Sequence, residues 1–362
     1  MKKAAAAAVV LTGVILAGGI AVKSGSLGEL VIASVRTEDE TEQSSEETAV
    51  QIDTSVPVLP GSRIAVVSKC VSGEFWDMVH QGMDAAVKDI NEAYGLKSND
   101  QIKMTFEGPS DELNVEEQVN TLDAVISENP AVLCLSASDM NSCLAQLETA
   151  AENDIPVIVF DSNVSDDQLI ADFYGTDNDR VGEIAGEKMA EALEQQGDIL
   201  IFAAQGKTQS TQKRVDGFQN VIAEYPEMNI LEEIYADEVE DMNAAMQEAL
   251  KKHPEADGVY CTNADVADLY LSLEQTDEQL PVMIGVDATT KQQAAVKDGR
   301  EFGIVSQDPY EMGYQTILAA AHMTDSDGVQ KSEETDLLEP AWIDSSNIDN
   351  PVSYTHLTLP TT

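Results

Sequence analysis

Several side chains able to bind but not to transform a ligand stand just after short apolar runs. They are Lys69, Ser136, Asp161, Ser162, Asn263, Asp287 and Gln307, with Arg214 a little further past such a run and Phe75-Trp76 shortly after the first. The set holds carboxylates, one guanidinium, one ammonium, amides, hydroxyls and aromatic faces, and no nucleophile stands beside a general base. Polyhydroxylated ligands call for this mixture. Carboxylates accept from vicinal hydroxyls, a guanidinium donates in a planar fork, and amides do both. An aromatic ring covers the C–H side of a sugar, and a few well-placed polar groups fix its orientation. Each residue alone has a plainer reading. Phe75 and Trp76 could be core at a helix start, and Asp161 and Asp287 could cap the helices that follow. Their joint position is what points to a site.

That position follows from the elements. From Arg63 onward, short β-branched apolar runs alternate with amphipathic stretches of helical period. Strands are predicted at 64–67, 102–106, 131–135 and 156–160. A second series runs at 199–203, 230–235, 258–262, 282–286 and 302–305, with a last strand at Ala341–Asp344. Helices are predicted around 75–90, 115–126, 144–151, 181–195, 211–224, 242–252, 264–274, 291–298 and 310–322. Continuously apolar strands alternating with helices imply parallel sheets covered on both faces. Two such series imply an α/β protein of two doubly wound lobes, which bind ligands beyond the carboxyl ends of their strands.

The chain has 362 residues, with 66 acidic against 20 basic side chains and a net charge of −46. That charge repels phosphate backbones and anionic membranes, so nucleic acid is excluded as a partner. Met1-Lys2-Lys3 precedes the uncharged run Ala4–Val22, so residues 1–23 read as a signal sequence or an N-terminal membrane anchor. With no Cys before Cys70, a lipid anchor is not expected, and the bulk of the chain should face outward. Residues 24–61 read as an acidic disordered linker. Cys70, Cys134, Cys143 and Cys261 show no metal-ligand spacing, and Cys134 and Cys261 read as small core residues within strands. His80, His253, His322 and His356 form no cluster. No metal or cofactor is expected. Gln205-Gly206-Lys207-Thr208 lacks the earlier glycine of a phosphate loop, since Ile201 stands there. Residues 351–362 look foreign to the fold, similar to translated adapter sequence, and are expected to be non-native and unpacked.

Glu74-Phe75-Trp76, Ile155–Asp161, Gly175-Thr176-Asp177-Asn178 and Arg214-x-x-Gly217-Phe218, followed by Asn263, Gly285-Val286-Asp287 and Val305-Ser306-Gln307, occur in that order. Over about Arg63 to Asn350 the chain thereby resembles the ribose-binding family of periplasmic sugar-binding proteins, a fold shared with the ligand domain of lactose-repressor-type regulators. The resemblance implies a type I periplasmic binding protein whose two lobes are joined by a three-strand hinge. The lobes would comprise 62–176 with 308–335, and 177–307 with 336–350. It implies Phe75 and Trp76 as ring-stacking aromatics, Asp161 as hydroxyl acceptor, Arg214 as ligand arginine, and Asn263, Asp287 and Gln307 as further polar contacts. Ser162 stands where ribose binders carry Arg, and Lys69 where they carry a small polar residue. This argues against ribose and opens two alternatives, a furanosyl autoinducer or a ligand whose anionic group pairs with Lys69. The expected function is capture of a sugar or polyol outside the cytoplasm for the permease of an ATP-binding-cassette (ABC) importer, by a monomer, without catalysis. A membrane-anchored sensor reporting to a kinase is the alternative. The missing DNA-binding part excludes a repressor.

Overall fold

The computed structural model describes residues 52–273, 280–325 and 337–349. The expected signal or anchor segment (1–23), most of the expected linker (24–51) and the expected non-native tail (351–362) lie outside them. Among the described residues no helix is long and apolar enough to cross a membrane.

Two sheets organise the chain. The first contains β1 (Arg63–Val67), β2 (Lys103–Glu107), β3 (Val132–Leu135), β4 (Val157–Phe160) and β5 (Asp172–Tyr174), in the spatial order β2-β1-β3-β4-β5. The second contains β6 (Gln196–Ala203), β7 (Glu227–Tyr235), β8 (Gly258–Cys261), β9 (Val282–Val286), β10 (Gly303–Ser306) and β11 (Ala341–Asp344), in the order β11-β10-β9-β8-β6-β7. All pairings are parallel except β10 with β11. In the middle of each sheet the strands are apolar throughout because both faces are covered: every residue of β3, β4, β8 and β10 is buried.

The helices are α1 (Glu74–Ala93), α2 (Val115–Ser127), α3 (Leu144–Glu152), α4 (Asn178–Ala192), α5 (Gln209–Ile222), α6 (Met242–Lys252), α7 (Ala264–Tyr270), α8 (Thr290–Asp298) and α9 (Pro309–Met323). Helices α4 and α5 begin before their apolar periodicity does. The Asp177 and Thr208 side chains accept from the third helical N–H and so supply a polar first turn. β5 escaped the sequence reading because three half-buried residues carry too little period to register.

The chain leaves the first sheet after Tyr174 and enters α4 of the second. It returns after Ser306 into α9, which packs against α1, and comes back as β11 beside β10. At the first and third passages Leu338 N–H donates to the Gly175 carbonyl (2.8 Å) and Asp177 N–H to the Leu338 carbonyl (3.0 Å). The part of the expected linker that is described, residues 52–61, is packed rather than loose. Ile52 and Val58 join the first-lobe core, Tyr94 Oη donates to the carbonyls of Asp53 and Val56, and Leu59 N–H donates to Thr324 Oγ1. Apolar side chains and the stiff Pro57 and Pro60 overcome the polar composition there. All four cysteines are buried and free.

In each lobe, among the described residues, a helix pair comes into backbone contact through glycines. A Cβ on Gly82 of α1 would lie 2.0 Å from the Tyr310 carbonyl of α9, and one on Gly313 would lie 2.2 Å from that of Val79. In the second lobe a Cβ on Gly182 of α4 would meet the Arg214 carbonyl at 2.2 Å, and one on Gly217 of α5 that of Asp179 at 2.4 Å. Alanine at Gly217 would gain about 1 kcal/mol of helix propensity, yet overpacking between two backbones costs ~1–3 kcal/mol. Gly217→Ala is therefore expected to lower the thermal midpoint. An unchanged or raised midpoint would show that α4 and α5 do not meet there.

Candidate functional site

The first lobe supplies a floor made of strand ends. Lys69 follows β1, Ser136 follows β3 and Asp161 follows β4. Lys69 Nζ lies 2.7 Å from Asp161 Oδ2, with both side chains almost fully buried. Ser136 Oγ donates to the same carboxylate oxygen at 2.8 Å. Asp161 has a left-handed backbone (φ 58°), a strained conformation for a residue with a side chain, held here by the ion pair and by its N–H bond to the Tyr174 carbonyl. Behind the floor, buried Gln118 of α2 donates to the carbonyls of Ser68 (3.0 Å) and Ser136 (2.9 Å) and accepts from Ser138 N–H (2.9 Å). It ties the ends of β1 and β3 together.

The second lobe brings a guanidinium and two amides. Arg214 projects from α5, the helix pressed onto α4 by the glycine contacts. Its Nε donates to Asn178 Oδ1 at 2.7 Å and its Nη1 to the Thr262 carbonyl at 2.8 Å. Asn263 caps α7, its Oδ1 accepting from Val266 N–H at 3.1 Å. Asp287 ends β9 with φ 93°. Its Oδ2 accepts from Ala264 N–H at 2.7 Å, at the first residue of α7, and its Oδ1 accepts from Gln307 Nε2. Asp287 thus steadies the start of α7 rather than capping a helix after its own strand. Gln307 is 4% exposed, and its Oε1 has no hydrogen-bond donor.

These groups surround a cavity of about 290 Å³ between the lobes, at the small end of the range for small-molecule pockets. Phe75 and Trp76 line it with ring centroids 5.1 Å apart and nearly perpendicular planes, and Trp76 packs edge-on against Phe160. Trp76 is therefore core and cavity wall together. Of the residues singled out from sequence, Lys69, Phe75, Trp76, Asp161, Arg214, Asn263, Asp287 and Gln307 line the cavity. Ser136 and Ser162 do not. Both are fully buried behind it, Ser136 orienting Asp161 and Ser162 Oγ accepting from Ser210 N–H of the second lobe at 3.4 Å. Asp161 lies just beyond β4 with a left-handed backbone, and the Ser162 side chain after it is directed at Ser210 rather than into the cavity.

Sequence reasoning missed Glu74, Glu112, Gln205, Ser210, Asp265 and Asp268, which also line the cavity. Asp265 and Asp268 sit one turn apart on α7, a spacing legible once α7 is known to start at the rim. Glu112, in an irregular loop, left no pattern. Several of these bind across the lobes. Glu74 Oε2 of α1 accepts from Thr290 N–H (2.7 Å) and Oγ1 (2.9 Å) at the start of α8. Gln205 Nε2 donates to the Glu112 carbonyl, and Lys69 Nζ lies 3.4 Å from Ser210 Oγ. Met140 N–H donates to the Lys207 carbonyl at 3.1 Å. The lobes are closed on one another.

The cavity is acidic: Glu74, Glu112, Asp161, Asp265, Asp268 and Asp287 line it against Lys69 and Arg214. Glu112 Oε1 accepts from Trp76 Nε1 at 2.6 Å. Burial pushes its carboxyl up to about 7, the Asp265 and Asp161 charges add to the rise, and Lys69 and the indole bond oppose it. Asp265 is raised by desolvation and then by Asp287, Asp268 and Asp111. Asp268 is raised by desolvation, against the hydroxyl of Thr289 and the charge of Lys291. An anionic ligand paired with Lys69 is disfavoured, because Asp161 already holds that ammonium.

Comparison with known proteins agrees with this architecture. The model for the family described as "Periplasmic binding protein domain" matches residues 64–327. The ribose import binding protein of Escherichia coli (strain K12) is 25% identical over 225 residues, covering 61% of this chain and 75% of that protein. A D-ribose/D-allose-binding protein of Pseudomonas aeruginosa is 24% identical over 267 residues, covering 71% and 81%. Among solved structures, an ABC transporter solute-binding protein from Agrobacterium vitis with bound D-fucose superposes with a TM-score of 0.73 at 25% identity, covering 80% of this chain and 98% of that one. Another from the same organism, bound with α-D-tagatopyranose, has a TM-score of 0.74 at 24% identity and shows the shared fold. With its two α/β lobes and a family model matched over most of its length, the chain belongs to the periplasmic binding protein family.

Proposed function

We propose that the protein is an extracytoplasmic solute-binding protein that captures one small sugar or polyol by closure of its lobes and delivers it to the permease of an ABC importer. The observation that carries this reading is a small cavity lined from both lobes by hydrogen-bonding side chains and by the Phe75–Trp76 pair. Such a site encloses a ligand only when the lobes meet, so closure is the signal a permease can read. The lobes are assigned as 62–176 with 308–335 and 177–307 with 336–350, moving about the passages near Thr176, Gln307 and Leu338. Residues 1–23 are assigned to export. Lys69, Phe75, Trp76, Asp161, Arg214, Asn263, Asp287 and Gln307 are assigned as ligand contacts, with Ser136 and Ser162 supporting them from behind.

Calorimetric titration against pentoses, hexoses and polyols tests the reading. At least one should bind at micromolar or better affinity with 1:1 stoichiometry, and failure of the whole panel would overturn the sugar assignment. Arg214→Ala should weaken the ligand found by roughly tenfold or more, since it strands buried acceptors. Unchanged affinity would move the site elsewhere.

The crowded carboxyls also set a pH dependence in the ligand-free protein. Glu112, at about 7 when folded against an ordinary 4.5, holds a proton that the unfolded chain gives up earlier. Its contribution is most favourable below the unfolded value and is lost as pH rises to about 7. Asp265, Asp268 and buried Glu301 are raised in the same direction. The thermal midpoint of the ligand-free protein should therefore fall between about pH 5 and about pH 8, and fall less in Glu112→Gln. Parallel profiles for the two proteins would remove Glu112 from this role.

A further inference from the structure

The charges facing the cavity do not balance, and the imbalance has a chemical direction. Lys69 is held by Asp161 at 2.7 Å. Asp287 has both oxygens bonded, one to the start of α7 and one to Gln307. Arg214 spends its Nε and Nη1 on neutral oxygens. Glu74 is answered by Thr290 and Asp268 by the Thr289 hydroxyl. Glu112 and Asp265 have no ion-pair partner among the described residues, and the Glu112 carboxylate is met by the Trp76 indole alone. Separately, the Gln307 carbonyl oxygen is buried at the cavity with no donor. The unmet demand is for hydrogen-bond donors that bring positive charge.

A metal ion does not answer that demand. Among the described residues no three His, Cys, Asp or Glu side chains converge closely enough to hold one. A neutral sugar supplies donors but brings no charge to set against the carboxylates that line the cavity. An ammonium group supplies three donors and a full charge. We infer that the ligand is a polyhydroxylated compound bearing a free amine, an amino sugar or amino polyol, with Glu112 and Asp265 receiving its ammonium group. The inference rests on the sugar-binding reading and narrows its ligand class. The upward displacement of the Glu112 and Asp265 carboxyls, from burial and from Asp161, Asp268, Asp287 and Asp111 around them, is the cost that a bound cation would relieve.

The test is calorimetric titration of the full-length protein near pH 6.5, where sugar amines are protonated, at low ionic strength. The ligands are D-glucosamine, D-galactosamine, D-mannosamine and 1-amino-1-deoxy-D-sorbitol, each beside its neutral parent, with the N-acetylated hexosamines as uncharged controls. The best free amine should bind about tenfold or more tightly than its neutral parent and its N-acetyl form, the effect of one charge-assisted hydrogen bond. Added salt should erode that preference. A neutral parent or N-acetyl form binding as well as the amine or better overturns the inference and leaves the sugar reading standing. Binding of nothing in this set or among the neutral pentoses, hexoses and polyols overturns both. Glu112→Gln and Asp265→Asn should each lower the amine-to-neutral affinity ratio, and ratios retained in both variants would overturn the assignment to these carboxylates.

Discussion

The ion pair between Lys69 and Asp161 is the contact on which the binding face is built. Removing a carboxylate and an ammonium from water costs several kcal/mol for each ion, repaid only by close approach and by hydrogen bonds to the remaining valences. Here the approach is 2.7 Å, Ser136 supplies a further donor and Ser210 stands 3.4 Å from the ammonium. The two charges follow β1 and β4, which flank β3 in one sheet, and join these strand ends into a common floor. Because Ser210 belongs to the second lobe, the same pair also registers whether the lobes have closed.

Opposite that floor, the positions of the binding groups depend on backbone packing more than on charge. Arg214 reaches the cavity because Gly217 and Gly182 let α5 lie directly on α4, and Asn178 of α4 then receives its Nε. The first lobe repeats the device with Gly82 and Gly313, so that α1, which carries Phe75 and Trp76, is seated against α9. Each lobe thus positions a cavity-lining helix by a backbone contact that tolerates little variation in distance. The aromatic pair and the guanidinium both line the cavity.

Closure concentrates negative charge. Six carboxylates approach within one small cavity against two cations, and several are left with raised proton affinity. Some of that charge is used structurally: Glu74 accepts from the exposed N–H of α8 in the other lobe, where the helix dipole favours an anion. The remainder faces the ligand space.

The apolar runs and helical periods of this chain determined the order of the elements, the parallel character of both sheets and the line of polar residues at the strand ends, because these depend on local pattern alone. Lys69, Asp161, Arg214 and Gln307 were legible for that reason. Which of those residues reach the cavity was decided by tertiary structure. Asp161 and Asp287 line the cavity from left-handed backbones, whereas Ser136 and Ser162 are buried behind it. Glu112 stands in an irregular loop and meets Trp76 only when the first lobe folds, and Gln205 only when the second lobe closes on it. Residues 52–61 looked like linker by composition, yet a few apolar side chains found a groove beside α1 and α9 and were held there. Local pattern specifies what a segment can form. Burial, charge balance and the partner across the gap exist only once distant segments meet, and those set the chemistry of the site.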